Sequence, residues 1–153
     1  MATEYNISTT GSNRKVALQL PVGGSICTVL PSGITIDTSA TGMDAVGDFT
    51  ALFDVPDGAH LQVIEMTLAD LDTGGPTSDL DLVLRVGTTD TVLLNSGGTL
   101  GGAAYTTNMI HLFDQYVDAT AQDDRYGQVG LKTVATATTG VAAGAVTAVL
   151  WYR

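Results

Sequence analysis

Residues 55–87, VPDGAHLQVIEMTLADLDTGGPTSDLDLVLRVG, constrain the fold more than any other stretch of the chain. Leu80, Leu82, Leu84 and Val86 alternate with Asp81, Val83 and Arg85. A period of two puts the first set on one side of an extended strand and the second set on the other. On a helix the same leucines would be scattered around the circumference. One apolar face and one mixed face describe a half-buried antiparallel strand. Upstream, Pro56-Asp57-Gly58 is a turn sequence that opens a second strand over residues 61–69. Its pattern changes phase: Leu61 and Val63 share one face, whereas Ile64, Met66 and Leu68 share the other. A one-residue shift of that kind is what a β-bulge produces. Burial of both faces near the strand's middle gives the same pattern.

The rest of the chain repeats the theme in shorter pieces. Strands are expected over residues 16–20, 25–30, 34–37, 49–55, 92–94, 129–137 and 145–151, each bounded by Gly, Pro or Asp/Ser turn residues. Residues 108–118 are the one helix-like window. Met109, Leu112, Phe113, Tyr116 and Val117 fall at helical spacing, and Asn108 is a capping residue, so one or two turns are expected there. Residues 1–13 are polar and rich in Ser and Thr, with Tyr5 and Ile7 as the large apolar groups, and read as an extended arm. No linker divides the remainder, and 153 residues suffice for one domain with a real core.

Composition points the same way. Lys occurs only at Lys15 and Lys132, and Glu only at Glu4 and Glu65. Solvent-facing helices draw on such residues, whereas the abundant Thr and Val suit a pleated surface. The net charge of −10 repels nucleic-acid phosphates and anionic membranes, and it favours cationic partners. Neither a nucleic acid nor a membrane is therefore expected as a partner. The first twenty residues hold no continuous apolar run, so neither a signal peptide nor a membrane span is expected there. Cys27 is the single cysteine, which excludes an internal disulfide and a cysteine zinc site. With no activating neighbour in sequence, it is expected to be a buried, inert thiol.

Candidate chemistry is sparse. Asp70 and Asp72 open an Asp-x-Asp-x-Gly segment, with Asp79 and Asp81 beyond it. Calcium loops begin this way, but they continue with further oxygen ligands and a bidentate Glu that are missing here. Acidic loop ends are the reading that this spacing favours over an ion site. His60 and His111 lie far apart and form no metal-binding or nucleophile-activating motif. Ser96-Gly97-Gly98-Thr99 lacks the lysine of a phosphate loop. Trp151 and Tyr152, near the end of the last strand, suit packing at a sheet or subunit interface better than stacking on a sugar.

Taken in order, four segments resemble the small structural proteins of tailed bacteriophages that decorate or cement the capsid. They are the arm with Arg14-Lys15, the run VGDFTALFDVPDGAHLQVIEMTLADLD, the strand LDLVLRVG and the closing TTGVAAGAVTAVLWYR. The resemblance covers residues 46–152 and lies in the order of the pieces, each of which is generic β-sequence. It implies an all-β, jelly-roll-like antiparallel sandwich over residues 20–153. Residues 1–19 stand apart as an N-terminal arm, and there is at most one short helix. It further implies a homotrimer on the outside of an icosahedral head, locking neighbouring major capsid subunits together, with no active site and no cofactor. Two of the six basic residues lie in the arm, so Tyr5, Ile7, Arg14 and Lys15 are the expected capsid contacts, and Trp151 and Tyr152 the expected oligomer contacts. The rival reading is a carbohydrate-binding β-sandwich, which would display a planar row of exposed aromatics. An enzyme ranks third.

Overall fold

Every regular element among the described residues is a β-strand. The computed structural model describes residues 2–7, 13–19, 26–30, 34–37, 43–72, 78–95, 100–101, 104–119, 126–136 and 143–153. In chain order the strands are β1 (Ala2–Ile7), β2 (Asn13–Gln19), β3 (Ile26–Val29), β4 (Thr35–Asp37), β5 (Phe49–Pro56) and β6 (His60–Leu68). They continue with β7 (Asp79–Val86), β8 (Thr89–Leu94), β9 (Tyr105–Tyr116), β10 (Tyr126–Ala135) and β11 (Ala143–Tyr152).

All pairings are antiparallel, and they build two sheets. The larger runs β1-β2-β3-β11-β6-β9, with β4 also on β11; the smaller runs β5-β10-β7-β8. From β5 onward the chain crosses from one sheet to the other at every connection except the β7–β8 hairpin. The order β3-β11-β6-β9 against β5-β10-β7-β8 is jelly-roll-like. The inward faces of both sheets meet in one apolar core. Ile64, Met66, Leu68, Val146 and Leu150 come from the larger sheet, and Phe53, Val55, Leu80, Leu82, Val129 and Leu131 from the smaller.

The expected alternation of β7 is realised, with Leu80, Leu82 and Leu84 buried in the core. The phase change in β6 is also realised. Its register against β9 shifts between Leu61 and Val63 and again between Ile64 and Met66, and the buried set becomes Leu61, Ile64, Met66 and Leu68. The turn before β6 is tied down from outside. Gly58 takes a φ of 81°, which glycine tolerates at little steric cost. Its N–H donates to Val117 O at 2.9 Å, and Asp57 Oδ1 accepts from Ala119 N–H at 2.7 Å.

Two segments differ from expectation. Residues 108–116 belong to strand β9, not to a helical turn. The twelve residues of β9 lie opposite the nine of β6, so extra residues are accommodated by register shifts. Each extra residue flips the in/out alternation, and a strand interrupted in that way spaces its apolar groups like a helix. Second, β1 and the first residues of β2 are strand where an arm is expected, while the strand expected over residues 16–20 falls on β2. Tyr5 is the register partner of Lys15 and Asn6 of Arg14, and β2 pairs in turn with β3, continuing the larger sheet. β1 comes alongside β5 of the opposite sheet.

Candidate functional surfaces

Two of the four aspartates of the acidic segment are tied into its local structure. Asp70 Oδ1 accepts the Asp72 N–H at 3.0 Å, an Asx turn. Asp72 is 3% exposed, and its Oδ2 accepts the Ser78 N–H at 2.9 Å, which staples the two ends of the acidic connection together. Asp79 and Asp81 lie on β7 at positions alternating with the core leucines, and Asp81 is the register partner of Lys132. Among the described residues no three His, Cys, Asp or Glu side chains converge as metal ligands would.

The histidines are apart, as their sequence separation suggests. His60 packs its ring against Tyr116 at 5.1 Å and 54°, while His111 is exposed on β9 opposite Val63. Cys27 is buried in β3, in register with Trp151. Burial pushes its thiol above the usual range, and the charge of Glu65 pushes it the same way. A thiol held protonated is a poor nucleophile.

Trp151 and Tyr152 point to opposite sides of the larger sheet. Tyr152 is 1% exposed and belongs to the core of its own domain, so it is not offered to another subunit. Trp151 is partly exposed on the outer face, between Cys27 of β3 and Val63 of β6. Tyr5, Ile7, Arg14 and Lys15 all fall in the β1–β2 ladder at the end of the same sheet.

The strongest electrostatic cluster was not among the sequence candidates. On the outer face of the smaller sheet, Arg85 grips Asp90 in a two-pronged pair, Nε to Oδ1 at 2.6 Å and Nη2 to Oδ2 at 2.9 Å. Lys132 Nζ reaches the same Oδ2 at 2.8 Å. The hydrogen bond from Arg85 is the main reason that the Asp90 carboxyl is lowered to about 2, and Lys132 adds to it. The Arg85 guanidinium also lies 4.0 Å from the centre of the Phe49 ring, a cation–π stack. The ring in turn lies over Gly130, where a Cβ would stand 2.8 Å from it. Part of this was readable: the two-residue turn Gly87-Thr88 makes Arg85 and Asp90 cross-strand neighbours, and they are register partners. The approach of Lys132 and Phe49 depends on pairings distant in sequence. This cluster binds strands β5, β10, β7 and β8 to one another, with two cations on the one Asp90 carboxylate.

No protein-family model matches the chain, and no curated protein matches it. Two solved structures share its fold. A chain of the capsid of Ralstonia phage GP4 is 24% identical, with a TM-score of 0.57, and the match covers 88% of this chain and 88% of that one. A chain of the capsid asymmetric unit of cyanophage Pam1 is 19% identical, with a TM-score of 0.55, and the match covers 88% of this chain and 91% of that one.

Proposed function

We propose that this chain is a structural, non-enzymatic protein of a bacteriophage virion. In this reading it decorates the outside of an icosahedral head and stabilises the head by binding across neighbouring major capsid subunits. The observation that carries the reading is the fold likeness to chains of two phage capsids, which spans nearly the whole length of each partner. A match to an internal domain of a larger shell protein would leave most of that protein uncovered. Here the matched chains are about the size of this one.

The chemistry of the domain supports the same role. Asp70 and Asp72 are occupied in turns, and Asp90 is held by Arg85 and Lys132. The outer surfaces are therefore left to bind other proteins. With three copies around a threefold axis, each weak contact is multiplied by avidity. The β1–β2 hairpin, which carries Tyr5, Ile7, Arg14 and Lys15, brings two of the six basic residues to one end of an acidic domain, where they suit acids on a shell subunit. Trp151, partly exposed on the outer face, is the residue assigned in this reading to contact between copies.

The test is copurification with intact heads, with copy number measured against the major capsid protein. A fixed stoichiometry on full heads is expected, together with lower occupancy when residues 1–15 are removed. Intact protein that never binds heads defeats the reading. A truncated form that decorates as fully as the intact one leaves decoration standing and removes the hairpin as the attachment device.

A further inference from the structure

The outer face of the larger sheet carries a site of a specific kind. Val29, Val149 and Glu65 form one cross-strand row over β3, β11 and β6, and Thr147 and Thr67 form part of the next. Both rows point away from the core. β3 pairs with residues 149–152 of β11 and β4 with residues 143–145, so among the described strands none pairs with Thr147 on that side. The interruption leaves a hollow of about 370 Å³, walled by Val29, Val149, Thr67, Thr147 and Glu65.

The contents of the wall are unusual for the outside of a sandwich. Outward positions on a solvated sheet are normally polar, yet Val29 is 38% exposed here and Val149 partly so. Glu65 is one of only two glutamates in the chain and, among the described residues, the only charged group lining the hollow. It is partly buried, and among the described residues it makes no hydrogen bond or ion pair. A carboxylate set in an apolar wall loses part of its hydration, and among the described residues none compensates it.

We propose that this hollow is a socket for one lysine or arginine side chain of the protein on which the domain docks, which the proposed function makes a shell subunit. Such a side chain lays its aliphatic stem along apolar surface and presents its charged head to a carboxylate. The two valines suit the stem, Glu65 meets the head, and the threonine hydroxyls accept its remaining N–H groups. A basic partner also complements the net charge of −10 carried by the whole chain.

The experiment compares wild-type protein with Glu65→Gln, Glu65→Lys and Asp44→Lys for binding to undecorated heads, with the melting temperature of each measured alongside. Asp44 is exposed in a loop away from the hollow, and its reversal changes net charge as much as that of Glu65. Glu65→Lys should weaken binding about tenfold or more, Glu65→Gln less but in the same direction, and Asp44→Lys little, because a desolvated pair is worth far more than a rim charge. Equal binding by wild-type and both Glu65 variants overturns the socket. So does equal weakening by Glu65→Lys and Asp44→Lys, which makes the effect one of net charge. If Glu65→Lys changes the oligomeric state in the absence of heads, the hollow belongs to a contact between copies, and the proposal falls. Failure of the wild-type protein to bind heads is a separate result and removes the decoration reading itself.

Discussion

Asp90 shows how one side chain couples fold to pH. Its carboxyl is lowered to about 2 by the Arg85 and Lys132 pairs. An ordinary aspartate titrates near 3.9 in an unfolded chain, so the folded state holds this proton less tightly. A depressed folded value contributes stability that is present above the unfolded value and is lost as pH falls through the folded one. The contribution at neutral pH is on the order of 2 kcal/mol. Asp90→Asn should therefore destabilise the domain by about that amount at pH 7 in urea titrations. The gap between variant and wild type should close as pH drops from about 5 toward 2. A gap that stays constant over that range would show that the pair is not the source. Leu84 makes a simpler case, because it points into the core from β7. Leu84→Ala should cost about 2–5 kcal/mol through lost transfer energy and the cavity left behind. A loss near zero in the same assay would contradict its inward register.

At the level of elements, the strands legible in the sequence are those whose alternation is uninterrupted. β7 and β11 keep a strict period of two, so their faces could be read directly, and the Pro56-Asp57-Gly58 turn marked where β6 begins. β9 was misread because pattern alone cannot see the partner strand. Its register shifts against β6 bring apolar groups to three- and four-residue spacing, and a helix does the same. β2 was legible over residues 16–19, whereas β1 and the first residues of β2 were missed for a related reason: a polar segment has little hydrophobic period, and its order comes from the ladder. The Asp90 site was half legible, through the Arg85–Asp90 register, and half hidden in long-range pairing. The assignment of β9 has a direct check. Backbone carbon secondary shifts over residues 108–116 should carry the sign of extended structure, and amide exchange should be slowed only at ladder positions. Helical shifts in that window would restore the first reading.

For the whole molecule, the governing quantity is charge. Six basic residues stand against sixteen acidic ones, and two of the six, Arg85 and Lys132, are engaged with Asp90. Copies of the free domain therefore approach one another against a repulsion that reaches about 8–10 Å at ordinary ionic strength. In the proposed trimer, contact between copies through Trp151 is made by burial, which salt does not screen. The proposed trimer should accordingly be favoured by salt. In sedimentation at fixed protein concentration, the trimer fraction should rise as sodium chloride is increased from low to moderate levels, because repulsion is screened while burial is unchanged. If ion pairs from Arg14 and Lys15 of one copy to acids of another held the assembly instead, the same titration would dissociate it. A falling trimer fraction would thus move the subunit contact from Trp151 to the hairpin. A chain that stays monomeric at every salt concentration would mean that the head itself supplies the symmetry, with each copy bound separately to the shell.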